Sequence, residues 1–223
     1  MASRPSLKPA LSLLVLGIVA GFWLVWRQGR ASNAAATSTS NAAVTASMAA
    51  AELPRLGTVA PFWLKDQEGR SFSEQSLDGK VWVAAFMFTR CPTICPAMVT
   101  RMQALQEQAK SRNIPIELVS FSVDPENDTP EVLRAYMAQK NLDSQNWRFL
   151  TGDNAVIRSA AEQGFKIGVD GVANPSAPGF GITHGTHLIL LDAQRTIRGY
   201  YQSTEPSRVE QLLADAATLA RAR

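Results

Sequence analysis

The chain has 223 residues, 46% hydrophobic and 18% charged, with 14 glycines, 12 prolines and only two cysteines. That composition is globular; it excludes collagen-like repeats, wholesale disorder, a disulfide-built scaffold and a four-thiolate zinc site. The net charge of +3 resides in the first thirty residues, where Arg4, Lys8, Arg27 and Arg30 stand without an acid, and residues 31–223 carry 18 basic against 19 acidic side chains, too near neutral for a nucleic-acid-binding surface.

Ala10 to Trp26 is a run of 17 residues in which Ser12 is the one polar side chain. As a helix it spans roughly 26 Å, the short end of what crosses a bilayer. Arg4 and Lys8 precede it, Arg27 and Arg30 follow, and Phe22, Trp23 and Trp26 lie near its far end, a pattern expected of an uncleaved membrane anchor at residues 1–30. A cleaved secretory signal competes, since residues 31–36 are small, but the run is long for one and two arginines intervene. Residues 31–52 are almost entirely Ala, Ser, Thr and Asn. They read as a flexible tether with a root-mean-square reach of about 25 Å. A single globular domain is then expected over residues 53–223.

Within it, Phe62–Leu64 and Ser71–Ser73 flank Asp66-Gln67-Glu68-Gly69 as a hairpin. Val81–Phe88 is a continuous apolar run of strand length, as in a strand buried on both faces, and Ile116–Val123 is another apolar strand. Pro96–Lys110 has helical spacing of Met98, Met102, Leu105 and Ala109, and Thr129-Pro130 opens a second helix with the hydroxyl as cap. A strand at Trp147–Leu150, a helix at Asn154–Gln163, a strand pair at His187–Leu191 and Thr196–Tyr201, and a helix at Pro206–Ala222 complete the order. Alternating strands and helices predict an α/β sandwich. A thioredoxin-like topology with an N-terminal hairpin fits, and periodicity alone does not separate it from a flavodoxin-like sheet.

Both cysteines fall in Cys91-Pro92-Thr93-Ile94-Cys95-Pro96, between a buried strand and a helix. The prolines push the residues before them out of the helical region, which predicts Cys95 as helix cap with an acidified thiol facing the helix dipole. A stapling disulfide across so short a loop would remove little chain entropy. A redox dithiol is the second reading, though thioredoxin spacing has two intervening residues and this loop three. Two thiolates with room for an ion suit copper, and a histidine would complete a three-coordinate site. The chain has two histidines, in Thr183-His184-Gly185-Thr186-His187. His184, at the mouth of a strand after the Gly/Pro-rich stretch 168–181, is the candidate ligand, while His187 shares a strand face with Ile189 and Leu191, as a packed residue would. Met87, Met98 and Met102 have the spacing of core residues. Asp124 ends a strand on the edge where such sheets place their sites; it is read as a weak ligand, as a residue orienting a ligand, or as a turn cap.

The Cys-Pro-Thr-Ile-Cys-Pro loop, the segment Ser122-Val123-Asp124-Pro125-Glu126-Asn127-Asp128-Thr129-Pro130 and the Thr183–Tyr201 block together resemble the SCO/SenC family of membrane-tethered copper proteins over roughly residues 53–220. The resemblance implies a thioredoxin-like domain binding one copper, Cu(I) or Cu(II), through Cys91, Cys95 and His184. It implies delivery of copper to the CuA site of a cytochrome c oxidase subunit, or reduction of that partner's cysteines by a Cys91/Cys95 redox pair. Asp124 matches a family aspartate near the metal. A bacterial inner-membrane, single-pass placement with a periplasmic domain is also implied. Two positions depart from the family: His187, not usually histidine there, and Ala193-Gln194-Arg195-Thr196, where a glycine is frequent and an altered turn is expected. A peroxiredoxin-like peroxidase lacks its Pro-x-x-x-Thr-x-x-Cys pattern here.

Overall fold

The computed structural model describes residues 53–171 and 183–222. The expected anchor and tether, and the part of the Gly/Pro-rich stretch covering residues 172–182, lie outside them. Among the described residues no helix is long and apolar enough to cross a membrane.

A seven-stranded sheet organises the domain. Its strands are β1 (Trp63–Asp66), β2 (Ser71–Ser73), β3 (Val81–Met87), β4 (Ile116–Ser122), β5 (Trp147–Thr151), β8 (His187–Leu191) and β9 (Ile197–Gln202), and the short pair β6 (Val169–Asp170) and β7 (Thr183–His184) stands apart. The order is β2-β1-β5-β4-β3-β8-β9. The central β3, β4 and β5 are parallel, while β1 joins β5, and β8 joins β3, antiparallel. This mixed pairing excludes the parallel flavodoxin-like sheet and gives the thioredoxin-like arrangement. The hairpin forms as expected because the Asp66 carboxylate accepts the Glu68 and Arg70 amides at 2.9 and 3.0 Å while Gly69 takes a φ of 75°.

Helices α1 (Cys95–Ser111), α2 (Pro130–Gln139), α3 (Asn154–Ser159) and α4 (Pro206–Arg221) cover the sheet. Strand alternation divides β4 between two cores. Ser120 reaches Met102 of α1 and accepts the Trp147 indole N–H at 3.0 Å, whereas Phe121 stacks on Phe86 at 5.1 Å with Phe62 and Phe165 against it. Met87, Met98 and Met102 are all buried in this core. Thr129 caps α2 by accepting the Val132 amide. Beyond Ser159 the expected single helix widens into a π-turn over Ala160–Gly164, where the Phe165 N–H bonds five residues back to Ala160 O.

One local expectation is corrected, and one turn is described by the structure. The cap of α1 is Ile94, not Cys95; Cys95 is the first helical residue, because a proline second in the helix loses an amide that would be unbonded anyway. The turn after Asp192 closes without glycine: Arg195 itself adopts a φ of 63°, and the Asp192 carboxylate accepts the Gln194 and Thr196 amides at 2.9 Å.

Candidate metal centre

Parallel β3 and β4 bring their C-terminal ends to one edge, and the Val123 amide extends that ladder onto Met87 O at 2.9 Å. The cysteine loop leaves β3 there. Cys91 N–H bonds to Phe88 O at 3.3 Å, and Met98 N–H to Ile94 O at 3.0 Å begins α1. Both cysteines are free thiols; Cys95 is 1% exposed and Cys91 7%. Cys91 is therefore the one a partner reaches first.

Their acidities are opposed. Burial pushes the Cys91 thiol up, but hydrogen bonds from the Cys95 side chain and backbone, and from the Thr93 amide and hydroxyl, together hold it below the ordinary cysteine range. Thr93 Oγ1 lies 3.7 Å from Cys91 Sγ. Burial pushes Cys95 far up, reinforced by its bond to Cys91 and by the negative charges of Cys91 and Asp128, against one backbone bond at Phe88. The expectation of an acidified Cys95 is thus overturned. A helix terminus favours an anion by about 0.3–1 kcal/mol, which is small beside the desolvation of a buried thiolate. Cys91 is the more acidic thiol of the pair and Cys95 the less acidic.

Two carboxylates follow β4. Asp124, buried, accepts from Arg90 Nη2 at 2.9 Å and from Asn127 Nδ2 at 2.8 Å, and its carbonyl accepts the Asn127 and Asp128 amides. It closes the turn and grips the arginine beside Cys91. Asp128, fully buried, was not singled out by the sequence reading. Its carboxylate accepts the Ser122 hydroxyl at 2.6 Å and both the amide, at 3.0 Å, and the hydroxyl of Thr89. It therefore ties the end of β4 to the residue two before Cys91. Burial raises its pKa over the opposing pull of these bonds. Tyr136 of α2 is pushed up to about 12 by burial and then by the charges on Cys95, Asp128 and Cys91. A neutral phenol faces this acidic cluster.

β8, antiparallel to β3, begins at the same edge with His187. His187 is half-buried and sets its ring edge-on to Tyr200 at 6.4 Å. The backbone of His184 pairs with Val169, and its side chain lies outside the described residues. His184 lies three positions before His187, so it is within about 10 Å of chain reach of that edge. Among the described residues no group of three His, Cys, Asp or Glu side chains converges. The structure thus joins Cys91 to Cys95 and places Asp124 beside the loop through Arg90. What sequence reasoning missed is Thr93, Asp128 and Tyr136. The one signal, for Asp128, was the second aspartate of Asp124-Pro-Glu-Asn-Asp128.

A model of SCO1/SenC matches residues 50–221. The chain belongs to the SCO1/SenC family. It is 46% identical over 158 residues to a SCO1 protein homolog of Bacillus subtilis, covering 70% of this chain and 80% of that protein. It superposes on a SCO1/SenC family lipoprotein of Bacillus anthracis with a TM-score of 0.69 and 34% identity, over 76% of this chain and 98% of that one. BsSco, a member of the Sco family of cytochrome c oxidase assembly proteins in which a disulfide switch is identified, matches at TM-score 0.66 and 33% identity, over 74% and 95%. Bradyrhizobium japonicum ScoI, solved with copper bound, shares the fold at TM-score 0.62 and 23% identity, over 73% and 99%.

Proposed function

We propose that this chain is a copper carrier that binds one copper through Cys91, Cys95 and His184 and hands it to a copper protein, the CuA-bearing subunit of cytochrome c oxidase being the partner its family points to. The observation that carries the reading is the pair of free, mutually hydrogen-bonded thiols at the start of α1. Two sulfurs, one in the loop and one at the first position of the helix, are soft donors suited to copper, and an imidazole completes a three-coordinate set. His184 supplies it, since its strand begins the chain segment that enters this edge through β8. Cys91 is the thiol that ionises more readily. Cys95 binds only by giving up its proton, so loading releases acid and weakens as pH falls. The apolar segment Ala10–Trp26 anchors the chain in the bacterial inner membrane, with residues 53–223 in the periplasm on the tether.

The test is titration of the reduced full chain with copper. One equivalent binds, and Cu(II) gives a thiolate charge-transfer band that is lost in Cys91→Ser, Cys95→Ser and His184→Ala and kept in His187→Ala. A band unchanged in His184→Ala refutes the imidazole assignment, and no band in the parent protein refutes the carrier. The opposed thiol acidities favour one second reading, a dithiol reductase. The Cys91 thiolate would attack a partner disulfide, and Cys95 would resolve the mixed disulfide, leaving the partner as dithiol and a Cys91–Cys95 disulfide. A reduction potential too oxidising to reduce a partner disulfide rules this out.

A further inference from the structure

The third ligand stands on a segment with little structure of its own. β6 and β7 pair only Val169 with His184 and Asp170 with Thr183. A two-stranded ribbon of this size does not hold itself in water, so its position must be set by what it is fastened to.

Two fastenings are visible. Arg158, half-buried on α3, donates from Nη1 to Val169 O at 2.8 Å and from Nη2 to Gly171 O. The same planar group grips both carbonyls flanking Asp170. α3 is itself fixed at the sheet edge, because Asp153, two residues after β5, accepts the Ala155 and Val156 amides at 2.7 and 3.2 Å. The other fastening is contact. A Cβ on Gly185 would lie 3.0 Å from Ile167 Cγ2, so the backbone just after His184 rests on Ile167. Ile167 is held in turn by its N–H bond to Ala161 O at 2.8 Å.

We propose that Arg158 is a positioning residue for the copper site: its guanidinium forks onto the two carbonyls at the end of β6, holds the β6–β7 pair against α3, and thereby fixes the backbone of His184 relative to the cysteine loop. The inference rests on the copper reading above. Arg158 touches neither cysteine nor copper. It acts on the third ligand alone, through the backbone pairing of Val169 with His184. A lysine cannot replace it fully, because an ammonium is a point donor and two carbonyls two residues apart call for a rigid fork.

The test uses the reduced full chain carrying Arg158→Gln and Arg158→Lys, alone and with His184→Ala. Residues that orient a metal ligand typically change affinity 10–100-fold when replaced. Arg158→Gln should therefore weaken copper binding by about 10-fold or more and diminish the thiolate band, and Arg158→Lys should fall between it and the parent. In the His184→Ala background, Arg158→Gln should change nothing further. Amide exchange in the metal-free protein should quicken across β6 and β7 while β3 and α1 keep their protection. Undiminished copper affinity in Arg158→Gln overturns the proposal. So does an equal fold-loss with His184 already absent, which marks a general structural role, or unaltered exchange across β6 and β7. A parent protein that binds no copper overturns the carrier reading instead and is recognised by the absent band before any Arg158 variant is compared.

Discussion

Replacing Asp128 with alanine should loosen the cysteine loop without touching either sulfur. The carboxylate is fully buried and is the shared acceptor for the Ser122 hydroxyl and for the Thr89 amide and hydroxyl. The Thr89 N–H cannot turn toward water; leaving such a donor unsatisfied costs about 1–3 kcal/mol. The two hydroxyls can rotate to other acceptors and each loses about 0.5–1 kcal/mol. Against this, the raised pKa shows that burying the charge opposes folding at neutral pH, so its removal returns part of the loss. The net expectation is a destabilisation of about 3 kcal/mol, or a fall in Tm of roughly 6–12 °C for a domain of this size. Urea unfolding of the reduced protein measures the first, and amide exchange at Thr89 and Cys91 locates it. Asp128→Asn keeps one carbonyl oxygen and should lose about half as much. An Asp128→Ala protein within about 0.5 kcal/mol of the parent, with Thr89 still protected, would refute the role given to the carboxylate.

Thiol alkylation at pH 7–8 should proceed first at Cys91, the more exposed and more acidic of the two; Cys91→Ser should suppress the fast phase and Cys95→Ser should not, and a fast phase surviving in Cys91→Ser would reverse the assignment. Alkaline pH should destabilise the reduced protein. Tyr136 is raised from 10.0 to about 12, so its neutral form contributes stability below pH 10 that is lost between pH 10 and 12, and Tyr136→Phe should remove about 2 kcal/mol of that loss in unfolding measured across the window. Arg195 pairs opposed effects. Glycine in its place relieves a φ of 63°, worth about 1 kcal/mol, but strips an ion pair at 3.3 Å from the buried Glu74, leaving it the Phe62 amide. Arg195→Gly should therefore destabilise the parent by about 1–2 kcal/mol and become neutral or stabilising in a Glu74→Gln background, as denaturant midpoints would report.

The residues legible in advance were those whose neighbours along the chain decide their state. The run at Val81–Met87 is apolar throughout, and Ile116–Ser122 is apolar at its buried positions except Ser120 and Ser122, because both faces of a central strand are covered, and Thr129-Pro130 specifies a helix start through its own hydroxyl and ring. The cysteine pair was legible for the same reason, both sulfurs lying in one loop. The acid–base order of that pair was not. It depends on how deeply each sulfur is buried and on Asp128, which approaches from another strand.

The primary structure by itself determined an apolar run at Ala10–Trp26 followed by an Ala/Ser/Thr-rich stretch, the alternation of strand and helix, and a loop carrying two soft donors four positions apart. Only tertiary folding decided the antiparallel flanks of the sheet and which thiol is the more acidic. It also decided the grips of Asp124 on Arg90, of Asp128 on Thr89 and of Arg158 on β6. The division has a physical cause. Propensity and pattern act over a few residues, whereas desolvation and buried hydrogen bonds belong to groups 11, 34 or 39 positions apart that meet only when the chain is packed.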